Sequence, residues 1–145
     1  MPVANIVTYQ ISRAHLVGLA NFEIAVTGPF NLRPVEFTIL QLLKESQCTT
    51  PGQMSKELQM SPPSMSVWLD KLTERDLIQR SKSDNDGRTQ FLQLTEAGEK
   101  LTELSYDALM KSEKQLLSVL SPGEQVLLLE ILHKLNLKAS CPSSS

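Results

Sequence analysis

Residues 49–94 read TTPGQMSKELQMSPPSMSVWLDKLTERDLIQRSKSDNDGRTQFLQL, and the order of patterns along this stretch decides the fold. Thr50 is followed three residues later by Gln53, with Pro51 at the first helical position, a capping-box pattern that opens a helix. This helix is short, uses Met54 and Leu58, and ends near Met60. Ser61-Pro62-Pro63-Ser64 opens a second helix with Ser61 as its cap. Met65, Trp68, Leu69 and Leu72 fall at i, i+3, i+4 and i+7, a single apolar stripe, so all four are expected in the core. After Asp76 the period changes from helical to alternating. Leu77-Ile78-Gln79-Arg80 and Gln90-Phe91-Leu92-Gln93-Leu94 read as two strands, and the polar run from Ser81 to Thr89, with the turn signal Asp86-Gly87, reads as the tip of a β-hairpin. A short helix, a Pro/Ser turn, an amphipathic helix and a hairpin make a helix-turn-helix with a wing, the unit that lays its second helix in the major groove of DNA.

Working outward, Leu16, Leu19, Phe22 and Val26 recur at helical spacing and predict a first helix over about Ile6–Val26, which Thr27-Gly28-Pro29 is expected to break. Pro34, with Glu36 just behind it, starts a second helix whose Phe37, Ile39, Leu40, Leu42 and Leu43 cover more than one face, as in a deeply buried helix. Beyond the hairpin, Thr95 or Glu96 begins a long helix running to about Val119, with Leu101, Leu104, Ala108, Leu109, Leu116 and Val119 as its stripe. Ser121-Pro122-Gly123-Glu124 repeats the capping-box pattern and opens a last helix carrying Val126, Leu127, Leu129, Ile131, Leu132 and Leu135. Apolar residues on several faces of these outer helices call for a partner, and a two-fold dimer is the commonest solution. The expected architecture is mainly α with a small β-hairpin wing: a winged helix-turn-helix with N- and C-terminal dimerisation helices. It forms a single domain over 1–139. The DNA-binding lobe covers about 32–94, the dimerisation helices about 5–27 and 96–138, and a disordered tail 140–145.

The composition fits this reading. A chain of 145 residues has room for one ordinary domain and excludes a catalytic barrel of about 250 residues. Hydrophobic residues at 41% and charged residues at 21% suffice for a core. No apolar run approaches the roughly 18 residues of a membrane span, and Met1-Pro2-Val3-Ala4-Asn5 lacks the basic start of a signal peptide, so a soluble cytoplasmic protein with no membrane partner is expected. Cys48 and Cys141 share no ligand spacing with His15 and His133, which leaves no zinc motif, and no cofactor is expected. A nucleophile elbow, a phosphate loop, an HExxH motif and a Ser/His/Asp set are all missing, so the chain reads as no enzyme. The net charge of −2 leaves any contact with DNA to local charge rather than to the total.

Several short stretches, in their order and spacing, carry more. They are Leu32-Arg33-Pro34-Val35-Glu36-Phe37-Thr38-Ile39-Leu40, Ser64-Met65-Ser66-Val67-Trp68-Leu69-Asp70-Lys71-Leu72, Asp86-Gly87-Arg88, Leu94-Thr95-Glu96-Ala97-Gly98 and Leu120-Ser121-Pro122-Gly123-Glu124. Together they resemble the MarR-type (multiple antibiotic resistance regulator) winged-helix transcription factors over nearly the whole chain. The resemblance implies a homodimeric, ligand-responsive repressor on a pseudo-palindromic double-stranded DNA operator, released by a small aromatic acid or phenolic effector. Two departures stand out. Arg33 sits where the family often has Thr, and Arg offers no acceptor to cap the helix. Val67 sits where the family often has Arg, which moves base readout toward DNA shape and thymine methyl groups.

Candidate residues follow. With the stripe of the second helix buried, Pro62, Pro63, Ser64, Ser66, Val67 and Lys71 are left toward the groove. Ser64 and Ser66 are expected on bases or phosphates and Lys71 on the backbone. Arg88 resembles the wing arginine that enters the minor groove, with Asp86 placed to hold its guanidinium, while Arg80 and Lys82 are further phosphate candidates. For the effector, the resemblance points to Tyr9, Arg13, His15, Arg33 and Tyr106. Trp68 reads as core, and Cys48 as a small buried residue, since the reactive cysteine of some family members lies early in the first helix, where this chain has none. Two alternatives stay open: a redox sensor through Cys48, and a winged-helix protein-interaction module without DNA.

Overall fold

The computed structural model describes residues 1–85 and 87–140, and for 138–140 the backbone alone. Helix α1 spans Val7–Phe22, α2 Pro34–Lys44, α3 Pro51–Glu57 and α4 Pro62–Glu74. Strands β1 and β2 are Ile78–Lys82 and Gln90–Leu94, and helices α5 and α6 are Glu96–Leu116 and Pro122–Ser140. This is the mainly helical winged arrangement that the sequence predicts. The chain divides into two units, residues 1–110 and 111–145. Of the expected tail at 140–145, only the backbone of Ser140, at the end of α6, is described.

The first unit is built on local caps. Thr50 Oγ1 accepts the Gln53 N–H at 3.2 Å to start α3, and Ser61 Oγ accepts the Ser64 N–H at 3.3 Å to start α4. Gln53 does not close the reciprocal box on Thr50; its Oε1 accepts the Thr49 N–H at 2.9 Å instead. Asp76, with φ 56°, ends α4 in the left-handed region and turns the chain into β1. β1 and β2 pair antiparallel from Ile78↔Leu94 to Lys82↔Gln90. The Leu92 N–H donates to the Thr49 carbonyl at 2.8 Å, so the hairpin is tied to the loop ahead of α3. Ile39, Leu40, Met54, Met65, Leu69, Leu72, Ile78 and Leu92 are all buried and form the centre of this core.

Two expectations are corrected here. Thr27-Gly28-Pro29 does not break the first helix. The chain stays helical through a π turn at Glu23–Thr27 and a short α turn at Gly28–Phe30, and stops only at Asn31, left-handed at φ 52°. Pro29 has no N–H to donate and its ring opposes the carbonyl four residues back. The wide turn, in which the Gly28 N–H reaches Glu23 O five residues back, resets that ladder. Trp68 is the second. It is only half-buried, because Met65, Leu69 and Leu72 fill the centre of the stripe and Trp68 lies on its border.

α5 begins against the α4–β1 connection. Thr95 Oγ1 donates to the Asp76 carbonyl at 2.6 Å, the Thr95 N–H donates to the Leu77 carbonyl at 3.1 Å, and the Gly98 N–H donates to Thr95 Oγ1 at 3.0 Å. In the second unit α6 starts with a reciprocal box: Ser121 Oγ accepts the Glu124 N–H at 3.2 Å and Glu124 Oε2 accepts the Ser121 N–H at 2.8 Å. Gln125 Nε2 donates to the Leu117 and Leu120 carbonyls at 3.0 and 3.1 Å, which closes the preceding 3₁₀ turn at Leu117–Val119. Among the described residues no single helix is long and apolar enough to cross a membrane.

Candidate nucleic-acid interface

Burial of Met65, Leu69 and Leu72 fixes the rotation of α4. Pro62, Pro63, Ser64, Ser66, Val67 and Lys71 are consequently exposed on one lobe. Ser64 is the least available of these, since Ser61 Oγ donates to its hydroxyl oxygen at 2.9 Å. Lys71 Nζ lies 4.7 Å from the centroid of the Trp68 ring, a cation–π contact that steadies the lysine at the helix surface.

The wing departs from a simple cationic finger. Arg80, on β1, donates to Asp70 Oδ1 of α4 at 2.6 Å, and its Nε is buried without a partner among the described residues. Its guanidinium therefore braces the wing against α4. Lys82 and Arg88 are exposed at and beyond the end of β1. The tip is closed by the Ser83 N–H on the Thr89 carbonyl at 2.9 Å and the Gly87 N–H on the Ser83 carbonyl at 3.2 Å, with Gly87 at φ 64°, where a side chain would be strained. Asp86, expected to hold Arg88, lies outside the described residues.

Sequence reasoning missed one ionic cluster. Glu36 is buried; its Oε2 accepts the Arg33 N–H at 2.8 Å and its Oε1 pairs with Arg75 at 3.3 Å. Arg75 also donates to the Asn31 carbonyl at 2.9 Å. The end of α4 is thus fastened to the start of α2 through one carboxylate. The capping half was legible, because Glu lies three residues past Arg33 behind Pro34. The Arg75 half was not, because nothing local pairs residues this far apart in sequence. Arg33 itself caps nothing with its side chain, as its lack of an acceptor requires.

Of the five effector candidates, Tyr9 and Arg13 meet on α1, and Arg33 and Tyr106 line different clefts. Arg13 donates to the Tyr9 hydroxyl at 3.4 Å on the exposed face of α1, and His15 is exposed on the same helix. Arg33 lines a cleft of about 260 Å³ with Trp68, Lys71 and Arg75. Tyr106 lines another of about 220 Å³ with Gln41, Lys44, Thr102 and Glu103.

Cys48 is buried, and burial followed by the nearby Glu57 charge pushes its thiol above the ordinary range. Lys44, the nearest cation in sequence, is taken up by Glu103 at 2.7 Å and Glu99 at 3.7 Å. A raised, buried thiol is a poor nucleophile. With Cys141 replaced by Ser so that one thiol is read, iodoacetamide is expected to label native Cys48 at least about tenfold more slowly than the unfolded chain; equal rates would restore the redox reading. Among the described residues, no group of three metal-ligating side chains comes together.

Comparison with known proteins agrees with this geometry. The sequence model of the MarR family matches residues 32–89, from the start of α2 to the wing. The HTH-type transcriptional regulator MhqR of Bacillus subtilis (strain 168) is 30% identical over 108 residues, 74% of each chain. Among solved structures, the transcriptional repressor CouR bound to a 23-mer DNA duplex superposes with a TM-score of 0.85 at 24% identity, over 92% of this chain and 94% of that one. The PcaV regulator of Streptomyces coelicolor in complex with its natural ligand superposes at 0.83 and 14% identity, over 96% and 97%. On its helix-turn-helix, its wing and its 30% identity to MhqR, the chain belongs to the MarR family of transcriptional regulators and not to an enzyme family.

Proposed function

We propose that this chain is a repressor that binds a pseudo-palindromic double-stranded DNA operator as a homodimer and is released by a small aromatic acid or phenol. The observation that carries the reading is the exposed, uncharged face of the first two turns of α4 beside a wing braced onto the same helix by Asp70–Arg80. That face enters the major groove while Arg88 reaches the minor groove, and Lys71 and Lys82 meet the phosphates. The likeness in fold to CouR, whose structure holds a DNA duplex, supports the docking mode. PcaV, solved with its natural ligand, supports an effector. For this chain, Tyr106 lines a cleft with Lys44, whose ammonium is shared with Glu103 and Glu99.

The dimer reading rests on apolar surface. α1 exposes Val7, Ile11, Leu16, Val17 and Leu19, and α6 exposes Val126, Leu127, Leu129, Ile131, Leu135 and Leu137. A monomer rarely leaves so much apolar surface to water. Sedimentation combined with footprinting tests both halves of the proposal. The wild-type chain is expected as a dimer at micromolar concentration, protecting two half-sites about one helical turn apart. Leu128→Glu combined with Leu135→Glu, on one face of α6, is expected to abolish the dimer and the footprint together. A folded wild-type monomer, or protection of one isolated half-site, overturns the assembly.

A further inference from the structure

The first two turns of α4, Pro62–Leu69, contain no charged and no amide side chain. Met65 and Leu69 are buried, and Trp68 is half-buried under Lys71. Of the exposed set, the Ser64 hydroxyl is already engaged by Ser61. Of the charged groups further along, Asp70 is committed to Arg80 and Arg75 to Glu36 and Asn31, while Lys71, stacked on the Trp68 ring, is the one assigned above to the phosphates. Bidentate recognition of guanine needs Arg or Lys, and that of adenine needs Asn or Gln. None of these is present where a recognition helix meets base edges, near its N-terminal end. What does stand out into solvent there is Val67, 53% exposed, between the Ser66 hydroxyl and Trp68. A β-branched side chain on a helix is held in one strongly preferred rotamer, so its methyl groups are presented in a fixed place. The base feature that an apolar side chain recognises in the major groove is the C5-methyl group of thymine.

From this geometry we infer that Val67 determines sequence specificity by contacting a thymine methyl group in each half-site. The inference rests on the operator-binding reading above and sharpens it. Thymine is selected at that base pair by a methyl–methyl contact, and cytosine, which lacks the methyl, is discriminated against without any hydrogen bond.

The test pairs one methyl on the protein with one on the DNA. The full-length chain first enriches a duplex from a library randomised across two half-sites. Each thymine of the enriched duplex is then replaced singly by deoxyuridine, which removes only the C5-methyl group and leaves every hydrogen-bonding edge intact. For the wild type, one thymine per half-site is expected to lose about three- to fivefold in affinity, the worth of one buried methyl group. For Val67→Ala, the same replacement is expected to change affinity by less than about 1.5-fold, because the partner is already gone. Val67 is surface-exposed, so the variant should keep the wild-type melting temperature, which is checked alongside. The inference is overturned if no deoxyuridine replacement matters to the wild type, or if one matters equally in Val67→Ala. If the wild type enriches no sequence even at low salt, the operator-binding reading fails, and this inference fails with it.

Discussion

Gly98→Ala is expected to lower the melting temperature by about 10 °C or more, although Ala is the better helix former by about 1 kcal/mol. The sign comes from one contact. A Cβ at position 98 falls 2.0 Å from the Leu77 carbonyl oxygen and 2.9 Å from its carbon. Both are backbone atoms and cannot swing aside. Leu77 is held by its buried side chain and by the Thr95 N–H on the same carbonyl. Relief therefore requires the first turn of α5 to lift off the α4–β1 connection, which strains the Thr95–Asp76 and Gly98–Thr95 hydrogen bonds as well. Overpacking of this kind costs about 1–3 kcal/mol, and more when backbone must shift. At about 3 kcal/mol, a chain of this length loses roughly 10 °C. Gly52→Ala is the matched control: it sits in α3 with no atom within 4 Å of its would-be Cβ, and it should be neutral or slightly stabilising. Thermal unfolding followed by circular dichroism reads both variants. A Gly98→Ala protein as stable as the wild type would show that α5 does not rest on Leu77.

That contact marks a boundary between what was readable in the sequence and what was not. Caps were readable because the acceptor and the donor lie three residues apart: Thr50–Gln53, Ser61–Ser64 and Ser121–Glu124 each make the predicted bond to the later residue's N–H. The hairpin was readable because alternation and a turn signal are local; its register was not, since a two-residue turn at Asp86-Gly87 would pair Lys82 with Phe91, whereas Lys82 pairs with Gln90. The Leu-Thr-x-x-Gly series could be matched to a family, but its physical content, a glycine pressed on a carbonyl twenty-one residues earlier, appears only in three dimensions. The same holds for the site. Which residues of α4 face outward followed from the apolar period. That Arg80 turns to Asp70, that Arg75 reaches Glu36, and that Trp68 stays at the border of the stripe depend on neighbours no local window contains. Thr27-Gly28-Pro29 misled for the complementary reason: its residues are helix breakers by type, yet a π turn absorbs them. The effector candidates came from resemblance without any pattern to place them on one wall; of them Tyr9 and Arg13 meet, and Arg33 and Tyr106 line different clefts.

Arg88→Ala is expected to weaken binding to the enriched operator about five- to a hundredfold while leaving the fold unchanged. Arg88 is exposed just past the left-handed Gly87, on a tip whose backbone is closed by the Ser83–Thr89 and Gly87–Ser83 hydrogen bonds. Its position is set by the rigidity of the hairpin, and the hairpin is in turn held to α4 by Arg80–Asp70 and to the loop before α3 by Leu92–Thr49. In the proposed complex the wing would meet DNA at a fixed angle to α4, which sets where the Arg88 guanidinium enters between the phosphate walls of a narrow minor groove. With no cation in the first two turns of α4, the wing carries a larger share of the electrostatic attraction than it would beside an arginine-bearing helix. Arg88→Ala should accordingly flatten the dependence of log affinity on log salt by about one counterion per wing, while Val67→Ala should leave that slope unchanged. Arg80→Ala separates bracing from contact. If Arg80 only fixes the angle, its loss should lower affinity with an unaltered salt slope; a slope reduced as much as in Arg88→Ala would make Arg80 a phosphate ligand. Arg88→Ala binding within twofold of wild type at matched salt, with the melting temperature intact, would remove the wing arginine from the mechanism.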